Sequence, residues 1–332
     1  MSFEPLRRHF RGKSIQIHSR WSLFGVLTLF FFLVQAISGI LLSLYYQPSI
    51  ETAYRSVSRI VGEVPFGWFV RSVHIWSSHL LILSALVHLS SKYFLRSYRN
   101  SHWSAWSSGV LLVLILSAFA FTGHLLPWDV TGYYATQIGT DIAAAAPVVG
   151  SFLAGVLRPG SDYVDGATLS RIASIHTVVL PCIAFLTMLL FVVAKLFGDS
   201  SLPEAPPVRG GQSFYPYFAY RGALASLAGL MLVFTLAMWF PVLMRPEANP
   251  LAAPPPGIRP EWYFLPVYQA IRLLPGSIGG VATERYLDVF LFLSAAILLA
   301  LPWIDRGNGR VARVIGTVFL VYALCAILLT FY

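Results

Sequence analysis

Seven separate runs of about twenty apolar residues organise this chain, and each is long enough to cross a bilayer core as a helix. Lipid offers no partner to an open backbone, so runs of this length imply helices rather than single strands. The spans read as Trp21–Tyr46, Phe69–Leu95, Ser107–Leu126, Ile172–Phe197, Tyr220–Leu243, Leu287–Ile304 and Val311–Tyr332. Only 11% of the residues are charged, against about 25% in a soluble domain. The expected class is therefore an all-α integral membrane protein. Asp141–Leu157, broken by Pro147 and Gly150, reads as short surface helices rather than a span. Cys182 and Cys325 cannot supply a disulfide framework or a four-cysteine metal site.

The net charge of +9 follows from the sidedness of the loops rather than from nucleic-acid binding. With the N-terminus placed in the cytoplasm, the inner segments carry 14 of the 23 basic residues and 4 of the 14 acidic ones. The outer segments carry 9 basic and 10 acidic residues. That asymmetry obeys the positive-inside rule along the whole chain. The first twenty residues hold Arg7, Arg8, Arg11, Lys13 and Arg20 and do not resemble a cleavable leader. A Pro/Gly-rich stretch at 201–212 separates residues 1–200, with four spans, from 213–332, with three.

All eight histidines lie in the front part. His74 and His88 stand 14 residues apart on the second span, which puts them about 40° apart in facing and about 21 Å apart in height. Gly25 and Gly39 repeat that interval on the first span, and Gly109 and Gly123 repeat it on the third. Glycine inside a helix costs about 1 kcal/mol against alanine, so it is placed where something must come close. Small residues at helix contacts are one reason for it. Two flat ligands stacked at two depths are another, and haem with axial histidines fits that geometry.

His176 opens the fourth span at the depth of His74, so these two can clamp one haem. His88 needs a partner 14 or 15 residues after His176, where the chain has Leu190 and Phe191. Met188 and Lys195 face away by about 120° and 100°. His79 lies about 140° round from His74 and reads as a packing histidine. His9, His18 and His102 read as interfacial, with His18 or His102 able to reach an inner site.

These residues resemble cytochrome b of the bc-type quinol oxidoreductases over essentially the whole chain. The likeness runs through Gly67-Trp68-Phe69-Val70-Arg71-Ser72-Val73-His74 and His88 to Thr122-Gly123-His124-Leu125-Leu126-Pro127-Trp128-Asp129. It continues through Thr168-Leu169-Ser170-Arg171, His176-Thr177-Val178-Val179-Leu180-Pro181 and Pro260-Glu261-Trp262-Tyr263-Phe264-Leu265-Pro266. The seven-span plan is similar to the chloroplast-type branch with its two chains fused.

The resemblance implies b haems bound by His74, His176 and His88, with room left by Gly25, Gly39, Gly109 and Gly123, and Arg71 and Arg171 beside propionates. It implies a quinol site at Pro260, Glu261, Trp262, Tyr263 and Phe264, with Glu261 and Tyr263 catalytic and Asp129 near its wall. A loop salt bridge to Arg259 or Arg272 is the structural alternative for Glu261. The implied partners are a Rieske iron–sulfur protein, a c-type cytochrome, lipid and quinol, in a dimeric multi-subunit complex of a bacterial inner membrane.

The chain departs from the pattern at three places. Leu190 or Phe191 stands where a fourth haem histidine is usual, and Ser91-Lys92 where arginine is. Leu23 stands near where the chloroplast-type branch has a haem-attaching cysteine. A haem anchor subunit that only exchanges electrons between quinone and another enzyme would not need the Pro260–Pro266 run or three further spans. A transporter would share the spans but carry no haem.

Overall fold

The computed structural model describes residues 21–99, 103–146, 148–159, 164–197 and 214–330. His9, His18, His102 and the 201–212 stretch lie outside them. Among the described residues seven helical segments are long and apolar enough to span a membrane. They are α1 (Ser22–Ser43), α3 (Gly67–Phe94), α4 (Trp103–Leu125), the continuous α7–α8 segment, α9 (Ala219–Trp239), α11 (Thr283–Ile304) and α12 (Arg310–Leu329). In the fourth of these, α7 (Gly166–Ser174) passes through a π-helical turn at Ile175–Val179 into α8 (Leu180–Phe197).

Several helices begin earlier than hydropathy suggests. α11 starts at Thr283 rather than Leu287, and its first turn holds Glu284 and Arg285. Polar residues are tolerated where a span leaves the hydrocarbon, so apolar content alone trims such turns. Four further helices are shorter: α2 (Ala53–Gly62), α5 (Val130–Ala145), α6 (Gly150–Leu157) and α10 (Leu265–Leu273). Asp141–Leu157 is indeed no span, but α5 starts well before it and is not a surface helix. It buries Tyr133, Tyr134 and Thr136. Asp129 caps it, accepting a hydrogen bond from Gly132 N at 2.8 Å. A short hairpin pairs β1 (Ser277–Ile278) with β2 (Val281–Ala282).

The helices group into two compact units that do not follow chain order: residues 1–44, 60–95 and 193–242, and residues 45–59, 96–192 and 243–332. In the first unit α1 lies along α3, with α9 against both. Small and hydroxylated residues fill the α1–α3 contact. Thr28 donates to Ser84 Oγ at 3.1 Å, and Gln35 donates to Ser77 Oγ at 2.7 Å and to the His74 carbonyl. In a bilayer this is the expected glue, because lipid tails provide no hydrophobic drive for helices to associate. Leu29, Leu33, Ile37 and Ile40 stay exposed on α1; against lipid such a surface carries no penalty.

In the second unit α4 is flanked by α5, by α7 with its π-turn, and by α11. Trp106 Nε1 donates to Leu298 O at 2.7 Å. Below the helix ends, Tyr98 donates to Asp305 at 2.5 Å and Arg96 pairs with the same carboxylate at 2.9 Å. The Tyr98 hydrogen bond, reinforced by Arg96, holds the Asp305 carboxyl below its usual range. Burial and that same bond push the Tyr98 phenol up to about 12. A second cluster of Ala53, Trp128, Tyr133, Tyr134, Val164 and Leu169 fixes the loop after α4.

Candidate functional site: histidines set on glycines

In the first unit, both α3 histidines lie against α1 glycines. A Cβ added at Gly39 would sit 3.2 Å from His74 Cε1, and one at Gly25 would sit 2.8 Å from His88 Cε1. The 14-residue interval is therefore a pairing of helix faces. The residue before Gly39 completes the arrangement. Ser38 donates its hydroxyl proton to the Val34 carbonyl at 2.7 Å, while its oxygen lies 2.9 Å from His74 Nδ1. With its own proton committed, Ser38 Oγ accepts from Nδ1–H. That tautomer leaves Nε2 with its lone pair, the state a metal requires.

The second unit repeats the pattern. A Cβ at Gly123 would sit 2.8 Å from His176 Cε1. Thr122, again the residue before the glycine, donates to Ala118 O at 2.7 Å and lies 2.9 Å from His176 Nδ1. His176 is held in the π-turn, where Leu180 N–H reaches back to Ile175 O. Pro181 has no N–H to offer the Thr177 carbonyl, so the regular ladder fails at this point. Such π-turns are common at functional positions.

Gly109, one period from Gly123, differs. A Cβ there would meet nothing within 4 Å. It too follows a hydroxyl, since Ser108 donates to Ser104 O at 2.7 Å. The hydroxyl–glycine step is present without a ring against it. Leu190 is 60% exposed and Phe191 half-buried. The residues therefore fit an imidazole-held group at His74 and at His176, and half of such a set at His88.

The Pro260–Pro266 run also lies in the second unit. Glu261 is extended, Trp262–Phe264 form one 3-10 turn, and Pro266 sits in the first turn of α10. Trp262, Tyr263 and Phe264 meet edge to face at 5.2 and 4.8 Å. Phe264 meets Phe121 of α4 at 6.0 Å. Arg259 is turned elsewhere, its guanidinium donating to Thr330 O. His124 meets Glu261 instead, with Nδ1 3.3 Å from Oε1. Burial, and then the Glu261 charge, raise the Tyr263 phenol well above its usual range. Tyr263 thus stays a hydrogen-bond donor at neutral pH and is no base.

Arg71 is 7% exposed and donates to Val242 O at 2.6 Å. Arg171 is exposed and donates to Gly155 O at 3.0 Å, at the end of α6. His79 packs edge to face on Trp76. Sequence alone gives no role to Ser38, nor to Thr122 and His124 within the Thr122–Asp129 motif. The hydroxyl–glycine steps Ser38-Gly39 and Thr122-Gly123 were a readable signal. The His124–Glu261 pair was not, because it joins distant parts of the chain.

Residues 11–197 match the family model Cytochrome b/b6/petB, and residues 247–332 match Cytochrome b(C-terminal)/b6/petD. A cytochrome bc complex cytochrome b subunit of Chlorobaculum thiosulfatiphilum is 36% identical over 99% of this chain and 77% of its own length. A cytochrome b of Acanthamoeba castellanii is 33% identical over 85% of this chain and 73% of its own. A solved structure described as a hyperthermophilic respiratory Complex III aligns with a TM-score of 0.79 at 25% identity, over 95% of this chain and 84% of that one. These are membrane proteins of electron transport, with haem b as the cofactor of the class. This chain belongs to the cytochrome b/b6 family.

Proposed function

We propose that this chain is the cytochrome b subunit of a bc-type complex that oxidises membrane quinol near its outer face. The observation that carries the reading is the repeated unit of hydroxyl, glycine and histidine at Ser38-Gly39/His74 and Thr122-Gly123/His176. His74 and His176, each through Nε2, are the residues that would hold one haem. Arg71 and Arg171 serve the propionates, for which a guanidinium fork is well shaped. His88, with Gly25 against it, would hold a second haem on the inner side. When bound, the haems supply one-electron carriers for transfer across the membrane.

The chain's own residues handle the quinol. Phe264, Trp262 and Phe121 form an apolar wall for the ring, and Tyr263 donates to a quinol oxygen. Glu261 provides the carboxylate that receives protons bound for the outer side. One electron leaves to a Rieske iron–sulfur protein and from there to a c-type cytochrome; the other goes inward. The complex is a dimeric multi-subunit assembly in a bacterial inner membrane, with this chain's N-terminus in the cytoplasm. The two family-model matches fall on either side of 201–212, which supports residues 1–200 as the haem-binding part and 213–332 as the part bearing the quinol loop.

Glu261→Gln keeps shape and removes the carboxylate. Quinol oxidation is expected to fall about 10- to 1000-fold with the haem spectrum unchanged, read as quinol-dependent cytochrome c reduction by the purified complex. Full activity would return Glu261 to a structural role. Ser38→Ala and Thr122→Ala remove the acceptors that fix the two histidine tautomers. Each is expected to weaken haem retention by about 10- to 100-fold, the usual loss for an outer-shell partner, measured as haem released to apomyoglobin. Unchanged release in both would remove the tautomer argument. The alternative, a haem anchor exchanging electrons with another oxidoreductase, predicts purification without a Rieske subunit.

A further inference from the structure

Glu261 is not the only group at this site able to take a proton. His124 lies in the last turn of α4, and its Nδ1 is 3.3 Å from Glu261 Oε1. A carboxylate at that nitrogen calls for a proton on Nδ1, and the other ring nitrogen is then an acceptor. That other nitrogen, Nε2, is buried and has no hydrogen-bond partner among the described residues. A buried acceptor left unmatched is costly and points to a donor that arrives from outside.

We propose that His124 and Glu261 form a carboxylate–imidazole dyad in which His124 Nε2 takes the proton of a quinol hydroxyl and Glu261 orients the ring and balances its charge. The inference rests on the quinol reading above and changes who acts first. The quinol O–H bond breaks and an N–H bond forms at Nε2, while Nδ1 keeps its proton toward Glu261. The electron released with that proton goes to the iron–sulfur partner. The resulting imidazolium faces a carboxylate at Nδ1 and sits at a helix C-terminus, where the backbone dipole also favours positive charge. The division of labour is that of an imidazole base held by a carboxylate, a constellation recognised by geometry rather than by fold.

The neighbouring ionisable groups do not take this place. Asp129, just beyond α4, accepts from Gly132 N. Arg171 on α7 donates to α6 carbonyls, and His176 Nδ1 is at Thr122 Oγ1.

The test uses the complete complex and quinol-dependent cytochrome c reduction. His124→Gln should lower the rate at least about tenfold while haem content stays constant. His124→Asn, which can still donate an amide N–H toward Glu261, should lose rate in the same way and guards against a folding defect. The decisive arm is His124→Ala with added imidazoles, corrected for their effect on the unaltered complex. Activity should return, and more basic imidazoles should restore more. Glu261→Gln should be slow and should not be rescued. Rates within about threefold of the unaltered complex in His124→Gln and His124→Asn would overturn the dyad and leave Glu261 as the direct acceptor. A slow His124→Ala that no imidazole rescues would overturn it too, making His124 a packing residue. If the unaltered complex oxidises no quinol at all, the proposed function itself fails and the dyad with it.

Discussion

Replacing His176 with Leu is expected to remove one haem per chain and to abolish quinol oxidation, and His74→Leu is expected to remove the same haem. The shared identity of the lost haem is the point of the experiment. The two histidines belong to different helices and to different compact units, so nothing local links their loss. Each ring has its Nδ1 at a hydroxyl that has already given its own proton to a backbone carbonyl. Each therefore offers Nε2 to a metal, at an expected iron–nitrogen distance of about 2 Å. On the proposed pairing, losing either would leave the haem with one protein ligand instead of two. Haem-to-chain ratio, reduced-minus-oxidised spectra and redox titration of the remaining haem read the outcome. If the two variants lose haems of different potential, the pairing is wrong and each histidine belongs to a separate centre. A structure with either imidazole nitrogen more than about 3 Å from iron would also end the claim.

Hydropathy made the seven spans legible, because lipid demands long, uninterrupted apolar helices whatever their partners. It could not show α2 or the start of α5. Those helices carry arginines, serines, threonines and tyrosines whose burial is decided by tertiary partners, such as Tyr134 donating to Ala252 O at 2.6 Å. The 14-residue period of glycines and histidines was also legible. Helix geometry converts sequence spacing directly into depth and facing, and Gly25, Gly39 and Gly123 each meet a histidine ring. Glu261 was legible as a residue but not in its pairing. Arg259 was its nearest basic neighbour in sequence, yet Arg259 reaches the end of α12 and His124 comes in from α4. Local spacing carries no information about which distant helix end a loop will meet. The π-turn at His176 lies between these cases: Pro181 announces a broken ladder, but not whether the helix answers with a kink or a wider turn.

The inner haem carries the sharpest remaining expectation. Gly25 lies against His88 just as Gly39 lies against His74, so the first unit offers the same welcome at two depths. The second unit does not. Gly123 has His176 against it, whereas Gly109 faces open space and the positions one period beyond His176 are Leu190 and Phe191. Ionisable side chains inside a membrane-spanning helix usually mark a functional site. The expectation is an occupied inner slot with His88 as the only ligand from these spans. A haem with one imidazole tends to be high-spin and open on its other face, and its potential differs from that of a bis-histidine haem. Carbon monoxide added to the reduced complex should therefore shift the spectrum of one haem and leave the other unchanged. His88→Leu should erase the responsive haem alone, while His74→Leu and His176→Leu should leave it in place. Two low-spin haems silent to carbon monoxide would mean that a sixth ligand reaches the inner iron from elsewhere. One haem in total, unaffected by His88→Leu, would mean that the inner slot is empty and that electrons do not cross the membrane through this chain by two haems.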